Sequence, residues 1–495
     1  MFSIDFEKIW QSILYNPKDP LLFNSGFFLW FFAIFIVVYS LVAQNRNARI
    51  FTFTFFSLYF FYKACGWFVG LVLLSAVVDF FLSNAIYRTI DKRKKKFLLI
   101  FSVVINLGML FCFKYTDFFI ELINDSNLTS AKIHPLKWLL PVGISFYTFE
   151  NLSYTVDVYR GHFKPVTKFM DYLYFLSFFP KLMMGPIVRA ADFLPQLSKP
   201  YFVSKRDFAE GFYLIFSGLF KKIVISDFIN ANFVSYVFDD PSKHVGLECL
   251  LAVYGYALVI YCDFSGYSDM AIGIARWCGF TIPPNFDSPY QSKSITEFWR
   301  RWHISLSSWL RDYLYIPLGG SRKGKVRQYV NLFITMLLGG FWHGASWNFI
   351  IWGGMHGSAL SLDKVKMYVA DKLRINDNKL IYRVLGVLVT FHFVCFCWIF
   401  FRASSLSEAK IIIDQIANNF DASAWTKILA NYKAVLLIMV LGFVLHGVSK
   451  STEEKIKQGL SKLTLLSFVL IALILFFIFV QMKTAEPIMP VYLQF

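Results

Sequence analysis

The stretch NLFITMLLGGFWHGASWNFIIWGGMHGSALSL, residues 331–362, decides the fold class because it contains no Asp, Glu, Lys or Arg. An α-helix needs about 17 to 25 mainly apolar residues to cross a membrane, and this stretch exceeds that length. Uncharged stretches of similar character recur along the chain, at Pro20–Asn45, Phe97–Phe113, Val384–Phe401 and Leu463–Met482. The pattern predicts a chain that crosses a membrane many times.

The composition indicates the same fold class. Of the 495 residues 57% are hydrophobic and 16% are charged, and the mean hydropathy is +0.52. A soluble domain carries about 25% charged residues. Because lipid cannot hydrogen-bond to the backbone, we expect an all-α polytopic membrane protein whose helices satisfy their own polar groups.

The net charge of +17 is concentrated in short loops between the apolar stretches. In a soluble chain this charge would suggest nucleic acid, but here it predicts topology, and no nucleic-acid partner is expected. The basic loops Arg88–Lys96 and Ser292–Arg327 are assigned to the cytoplasm, and the acidic loop Asp117–Asp125 to the outside. This assignment predicts about twelve crossings, within a range of about 11 to 13, and both termini on the extracytoplasmic face. The start, Met1–Lys8, lacks the basic region of a cleavable signal peptide.

Prolines and glycine pairs interrupt the apolar stretches in the middle of the chain, at Pro141, Pro180, Pro186, Pro283, Pro284, Pro317 and the pairs 319–320, 339–340 and 353–354. Broken backbone at membrane depth is tolerated only where it is buried in protein or lines a cavity. We therefore predict one integral membrane domain over residues 1–495, with its catalytic core at 141–357.

Two histidines stand out in this core. His343 lies inside the uncharged stretch, and His303 lies in Phe298-Trp-Arg-Arg-Trp-His-Ile-Ser305. A titratable group at membrane depth is by default a candidate functional group. Gly339, Gly340 and Gly344 flank His343, so a ligand could approach its backbone closely; close helix packing explains the same glycines equally well.

A helix is predicted to begin at Ser294, because Ser294-Ile-Thr-Glu297 fits a capping box. Apolar residues then recur at helical spacing as far as Tyr313, which predicts one amphipathic helix with His303 facing the apolar side. The neighbouring Arg300, Arg301, Arg311 and Trp302 are predicted to bind a ligand that has phosphates at its outer end and a reactive group at its inner end. The positive-inside rule alone also accounts for most of these charges.

Other polar residues in the core carry weaker signals. His356 lies thirteen residues after His343, with no carboxylate at ligand spacing, so no metal site is predicted. The seven scattered cysteines indicate neither a disulfide framework nor a zinc site. Asp263 and Asp269 interrupt an apolar stretch. They orient a histidine or pair with the arginines, or they belong to a buried network that fixes helix packing.

Several motifs together resemble the membrane-bound O-acyltransferase (MBOAT) family, in particular its bacterial alginate and peptidoglycan O-acetyltransferases. The resemblance covers roughly residues 20–400, and the order and spacing of the motifs carry it. The motifs are Pro141-Val-Gly-Ile-Ser-Phe-Tyr-Thr-Phe149, Asp157-Val-Tyr-Arg-Gly161, Phe179-Pro-Lys-Leu-Met-Met-Gly-Pro-Ile187, Asp263-Phe-Ser-Gly-Tyr-Ser-Asp-Met-Ala271, Phe298-Trp-Arg-Arg-Trp-His303, Leu310-Arg-Asp-Tyr-Leu-Tyr-Ile-Pro-Leu-Gly-Gly320 and Phe341-Trp-His-Gly344.

The resemblance implies a ring of tilted helices with a cytoplasmic and an extracytoplasmic funnel, in a bacterial inner membrane. It implies that His343 is the catalytic histidine, His303 a second active-site histidine and His356 a further one. It also implies that an acyl group, in particular acetyl from acetyl-CoA, passes outward to an envelope polysaccharide with the help of an extracytoplasmic SGNH-type partner. No permanently bound cofactor is implied.

The C-terminal tail, residues 487–495, reads Pro-Ile-Met-Pro-Val-Tyr-Leu-Gln-Phe and has no charged side chain. Its two prolines disfavour a helix and predict an extended segment. The tail resembles the aromatic C-terminal motif of bacterial O-acyltransferase systems, which implies that Tyr492 carries a transient acyl ester formed with His343 as base. A frayed hydrophobic end is the alternative.

The leading hypothesis is therefore an O-acyltransferase that moves acetyl groups across the membrane. A transporter or flippase with a histidine proton relay is the main alternative, although such proteins often have paired broken helices in their two halves, and here the breaks lie only in the middle. A scaffold with a degenerate site is a third hypothesis, and the presence of both His303 and His343 argues against it.

Overall fold

The computed structural model describes residues 6–17, 20–126, 132–372, 380–482 and 488–493, and their regular structure is entirely helical. Contacts divide the chain into two compact units. The first comprises residues 1–211 and 271–283, and the second comprises residues 212–270 and 284–495. The single domain and its core at 141–357 stay predictions. The helices Lys205–Leu219 and Gly246–Trp277 contribute residues to both units.

The first unit contains the α-helices Phe6–Ile13, Gly26–Val42, Arg46–Cys65, Val69–Arg88, Lys92–Lys114, Thr116–Asp125, Ile144–Arg160, Phe169–Ser177, Phe179–Leu182 and Ala190–Phe193, with 3₁₀ turns at Gly66–Phe68 and Leu194–Ser198. A buried polar network links three of these helices. Asp79 accepts hydrogen bonds from Ser102 at 2.5 Å, Asn106 at 2.7 Å and Thr155 at 3.1 Å. Buried polar groups that satisfy one another in this way fix the register between helices.

The second unit contains the α-helices Ser235–Asp239, Ile295–Arg301, Ile304–Leu310, Lys325–His343, Trp347–Lys372, Leu380–Arg402, Leu406–Asn418, Trp425–His446, Lys450–Leu460 and Leu465–Met482, with π-helical segments at Phe220–Asp227, Asn230–Val234 and Arg311–Tyr315 and 3₁₀ turns at Pro241–Lys243, Pro289–Gln291, Ala422–Ala424 and Val491–Leu493. The π-helical segments and short helices fall between residues 212 and 320. The unit therefore has its π-helical segments and its short α-helices in the predicted core.

Six described helical stretches are long and apolar enough to cross a membrane: Arg46–Arg88, Lys92–Lys114, Gly246–Trp277, Leu380–Arg402, Ala422–His446 and Leu465–Met482. The stretch Arg46–Arg88 bends at Gly66, where φ is +62°, and each half is a 20-residue helix long enough for its own crossing. The prediction of an all-α polytopic membrane protein is confirmed. The number of crossings, the funnels and the orientation stay predictions.

The stretch 331–362 is not one continuous helix. A first helix, Lys325–His343, ends at His343, and the chain turns at residues 344–346. A second helix, Trp347–Lys372, then packs against the first, so that the two form a hairpin. We call this pair the histidine hairpin. The break places His343 at a helix end, next to the turn.

Candidate functional site

His343 is buried at the turn of the histidine hairpin, inside a shell of aromatic rings. Its ring centroid lies 4.9 Å from that of Trp342, 5.1 Å from Trp352 and 5.4 Å from Phe401. A Cβ atom on the following residue, Gly344, would lie 2.1 Å from a ring carbon of Phe349, so any larger residue at this turn would force the buried Phe349 ring to move. The local sequence thus sets the position of the imidazole closely.

The two glycines before His343 differ in their surroundings, and only Gly340 lies against the backbone of the facing helix. A Cβ on Gly340 would lie 2.3 Å from the carbonyl oxygen of Phe349 and 2.8 Å from the Cα of Gly353 across the hairpin. Of the two explanations that the sequence allowed, close helix approach is the one that these distances support at Gly340. A Cβ on Gly339, in contrast, meets only a side-chain atom of Leu310, at 3.2 Å.

His303 lies between two short helices, Ile295–Arg301 and Ile304–Leu310. The first helix begins as predicted, with Ser294 accepting from the backbone N–H of Glu297. The prediction of one continuous amphipathic helix is wrong, because His303 adopts the left-handed conformation with φ +43° and breaks it. A non-glycine residue held in this region is strained, and such strain concentrates at functional sites.

Asn285 fixes the tautomer of His303. The side-chain oxygen Oδ1 of Asn285 accepts from the backbone N–H of Ser305 at 3.2 Å, and a backbone N–H can only donate, so this atom is the oxygen. The same oxygen lies 3.1 Å from Nδ1 of His303. Nδ1 of His303 therefore carries the hydrogen, and Nε2 of the neutral ring carries a lone pair. Burial lowers the pKa of His303, which lies outside the six candidate spans, and this favours the neutral ring.

Tyr492 is buried beside both histidines. Its ring centroid lies 5.4 Å from that of His343, 6.2 Å from His303 and 4.3 Å from Phe264. The structure thus brings together three residues that are far apart in the sequence. All of them belong to the second unit.

The tail, described from Ile488 to Leu493, is held through its backbone. It has no regular structure at 488–490 and forms a 3₁₀ turn at Val491–Leu493, whereas residues 487, 494 and 495 lie outside the described residues. The N–H of Val491 donates to Oδ2 of Asp263 at 2.7 Å. Nζ of Lys222 donates to the carbonyl oxygen of Ile488 at 3.3 Å.

Asp263 and Asp269 pair with lysines. Lys222 lies 2.7 Å from Asp263 and 2.8 Å from Asp227, and these three charged side chains are buried. Lys221 pairs with Asp269 at 2.6 Å in a more exposed position. Of the roles that the sequence left open, the structure supports a buried network at Asp263.

A cavity of about 60 Å³ adjoins this network and the tail. It is lined by Lys222, Ser226, Asp227, Asn230, Tyr256, Val259, Asp263, Arg402, Ile488, Met489 and Val491. The buried hydroxyl of Tyr256 makes no hydrogen bond to another described residue. The polar lining and the volume suit ordered water or a small polar group.

His356 does not contact Tyr492 in the ring contacts that the structure gives, but it shares the neighbour Trp352 with His343. Its Nδ1 accepts from Nε1 of Trp299 at 3.2 Å, and its ring is 4.7 Å from that of Trp352, which also contacts His343. Trp352 thus contacts both His356 and His343. Among the described residues no group of three or more His, Cys, Asp and Glu side chains could hold a metal ion.

The four residues predicted to bind the donor differ in their surroundings. Arg300 is exposed, Arg301 pairs with Glu297 at 2.7 Å, and Arg311 pairs with its neighbour Asp312 at 2.7 Å. Trp302 is buried, with its ring centroid 5.0 Å from that of Trp398 and 5.1 Å from Phe286. Trp302 is thus part of the aromatic core, and donor binding by these residues stays a prediction.

Sequence reasoning missed Asn285, Lys222 and Asp227. Lys222 and Asp227 lie in Phe220-Lys-Lys-Ile-Val-Ile-Ser-Asp227, where charges interrupt an apolar stretch, and that signal was available. Asn285 offered no comparable signal, because its role depends on a contact made eighteen residues along the chain.

Comparison with known proteins matches most of the chain to an enzyme family. The profile of the membrane-bound O-acyltransferase family (MBOAT) matches residues 39–406. The chain is 36% identical to the peptidoglycan O-acetyltransferase of Helicobacter pylori, over 79% of each chain. It is 40% identical to the probable alginate O-acetylase AlgI of Pseudomonas aeruginosa, over 79% of this chain and 73% of that one. It is 31% identical to the teichoic acid D-alanyltransferase of Bacillus subtilis, over 52% and 67%. His303, His343 and His356 lie within the profile match, and Tyr492 lies beyond it.

Proposed function

The chain belongs to the membrane-bound O-acyltransferase family, and on that premise we propose that it carries acetyl groups from cytosolic acetyl-CoA to an extracytoplasmic polysaccharide. It is a multi-pass membrane acyltransferase, so the transporter hypothesis is set aside. The identity and coverage of the peptidoglycan and alginate O-acetylases support acetyl as the group and an envelope polysaccharide as the acceptor. The packing of Tyr492 against His343 and His303 is the observation that carries the proposed route.

In the first half-reaction the hydroxyl oxygen of Tyr492 attacks the thioester carbonyl carbon while His343 takes the hydroxyl proton. The carbon–sulfur bond then breaks, and coenzyme A leaves as the thiol after it receives that proton. The products are acetyl-Tyr492 and coenzyme A. His343 is preferred as the base because its ring is the nearer of the two histidine rings to Tyr492, at 5.4 Å against 6.2 Å.

His303 has a supporting role in this scheme. The sequence left two roles open, stabilising the oxyanion or orienting the donor. The neutral ring presents a lone pair at Nε2, which can accept a hydrogen bond but cannot donate one to an oxyanion. We therefore assign His303 to orientation, with Asn285 holding its ring.

In the second half-reaction an extracytoplasmic SGNH-type partner removes the acetyl group. A serine hydroxyl of the partner attacks the acetyl carbonyl, the tyrosyl oxygen leaves and regains a proton, and the partner passes the acetyl group to a glycan hydroxyl. A phenol is a much stronger acid than a serine or sugar hydroxyl, so the tyrosyl ester is the more reactive acyl donor. The transfers from coenzyme A to Tyr492 and from Tyr492 to the serine therefore each move the acetyl group to a poorer leaving group.

The test is peptide mass spectrometry of purified protein after incubation with acetyl-CoA, combined with an assay of glycan acetylation in cells. We expect one acetyl group on Tyr492, and we expect Tyr492→Phe to lose both the label and the glycan acetylation. Full glycan acetylation by Tyr492→Phe would instead require direct transfer from acetyl-CoA through the centre of the protein. Deletion of an adjacent gene that encodes an SGNH-type partner should cause acetyl-Tyr492 to accumulate.

A further inference from the structure

The buried cluster Lys222, Asp227 and Asp263 has no role in the acyl transfer described above. A charged group buried at this depth is costly, and an apolar side chain of similar size would stabilise packing at least as well. The cluster therefore requires an explanation beyond the fold itself. We call these three residues the clamp.

Two members of the clamp bind the backbone of the tail on opposite sides of Met489 and Pro490. Lys222 donates to the carbonyl oxygen of Ile488, and Asp263 accepts from the N–H of Val491, with the lysine and the aspartate 2.7 Å apart. Irregular backbone that is buried in protein needs partners for its polar groups. A lysine–aspartate pair supplies one donor and one acceptor at the required spacing.

Close packing does not hold this part of the tail on every side. Ile488, Met489 and Val491 form one wall of the polar cavity of about 60 Å³, so a space lies where side chains would otherwise pack. The hydrogen bonds to the clamp therefore restrain the backbone next to Tyr492 where packing against the cavity does not. On the other side of the tail, the ring of Tyr492 packs against Phe264, which follows Asp263 directly in the chain.

We propose that Lys222 and Asp263 are positioning residues that hold the tail backbone and so keep Tyr492 against His343. The docking of the tail is independent of the chemistry. The effect on acyl transfer rests on the proposed function, in which Tyr492 is the acceptor of the first half-reaction. Asp227 also forms an ion pair with Lys222, so Lys222 stays paired when the tail is not docked.

The test measures tail docking and acyl transfer separately in the full-length protein in detergent. Hydrogen–deuterium exchange of a peptide that covers residues 488–493 reports docking, and acetyl-Tyr492 formed from acetyl-CoA reports transfer. We expect Asp263→Ala to raise the exchange rate of the Val491 amide by at least about tenfold, because a hydrogen bond to a charged acceptor is lost. Acetyl-Tyr492 formation should fall by a similar factor with little change in the KM for acetyl-CoA.

Asp269→Asn is the matched control. It lies on the same helix and breaks the adjacent lysine pair, Lys221–Asp269, but that pair makes no hydrogen bond to the tail among those the structure gives. Asp263→Asn should fall between the wild type and Asp263→Ala, since its amide oxygen can still accept from Val491.

Val491→Pro tests the same contact from the side of the tail, in case removal of the buried charge prevents folding. It removes the donor N–H and leaves the clamp intact, and proline is compatible with the first position of a short helical turn. A wild-type rate of hydrogen–deuterium exchange in the tail of both Asp263→Ala and Val491→Pro would overturn the proposal that the clamp holds the tail. Faster exchange with undiminished acetyl-Tyr492 formation would overturn the positioning role. Faster exchange and less acetyl-Tyr492 with undiminished glycan acetylation would leave that role in place and instead contradict the Tyr492 relay.

Discussion

At the scale of single residues, the aromatic shell around His343 determines what a truncation does. Because Trp342, Trp352 and Phe401 surround the imidazole, His343→Ala brings no other histidine into its place. We expect the rate of acyl transfer to fall by about 10²–10⁴-fold, as for the loss of a positioned general base. Turnover of acetyl-CoA by purified protein measures this. His392→Ala is the control, because His392 is exposed and bonds to Leu388 of its own helix. Wild-type turnover in His343→Ala would exclude His343 as the base.

The contact between Asn285 and His303 yields a graded prediction. Asn285→Leu removes the acceptor that holds Nδ1–H, so the ring loses its tautomer preference and orientation, and we expect kcat to fall by about tenfold or more. Asn285→Asp keeps an acceptor oxygen for both His303 and Ser305 and should retain more activity. Equal kcat values for the two variants would show that the tautomer is unimportant.

The sequence predicted which histidines and which tyrosine to examine, but not the contacts that orient them. His343 was identifiable because it interrupts an uncharged stretch, and Tyr492 because its tail lacks charge. Asn285 and the clamp act through pairs that are distant in the chain, for example Lys222 and Ile488. No periodicity in a single sequence encodes such pairs.

At the scale of helices, the histidine hairpin depends on the close approach of Gly340 and Gly353. A methyl group at Gly340 would overlap backbone atoms of the facing helix, at 2.3 Å and 2.8 Å. We expect Gly340→Ala to lower the free energy of unfolding by about 1–3 kcal/mol. Tryptophan fluorescence during denaturant unfolding in detergent measures this. Gly354→Ala is the matched control, because its nearest neighbouring atom is a side-chain carbon of Leu337 at 3.8 Å. Equal destabilisation by both variants would contradict the packing argument.

The short helix Ile295–Arg301 ends with two arginines, Arg300 and Arg301, that are predicted to bind the acyl donor. Replacing Arg300 and Arg301 together by Gln should raise the KM for acetyl-CoA about tenfold with kcat little changed, because guanidinium groups bind phosphate in the ground state. Arg206→Gln is a suitable control, since it breaks a similar i,i+4 pair, Arg206–Glu210. A fall in kcat alone, or a loss of expression, would indicate that these arginines support folding or membrane topology and do not bind the donor.

The break at His303 shows where helix prediction from the sequence fails. The start at Ser294 follows from local capping, which the sequence displays directly. The positive φ of His303 has no such signal, since a histidine with apolar neighbours at helical spacing normally continues a helix. Tertiary contacts impose the conformation, including the bond from Ile304 N–H to the carbonyl oxygen of Asn285 at 2.9 Å.

At the scale of the whole molecule, composition and charge predicted the class of protein better than its path through the membrane. The uncharged stretches predicted a helical membrane protein, and the regular structure of the described residues is helical and includes six candidate spans. The stretch 331–362 nevertheless folds as a hairpin, because the turn at Gly344 and the glycine contacts between its helices outweigh its length and hydropathy. Segment length alone therefore does not give the number of crossings.

Transport of the acetyl group in one direction is the consequence of the predicted orientation that can be measured most directly. The positive-inside rule puts the basic loop Arg88–Lys96 on the cytoplasmic side and the tail with Tyr492 on the opposite side. In proteoliposomes of known orientation, acetyl-CoA supplied on the side of that loop should label Tyr492. Acetyl-CoA on the other side should label it far less, since the polar coenzyme does not cross the bilayer.

Detergent-solubilised protein serves as the reference for full labelling, and an antibody to an epitope inserted in the loop reports orientation. Equal labelling from both sides would contradict a donor site confined to the cytoplasmic face, whereas labelling only from the side opposite the loop would reverse the predicted topology.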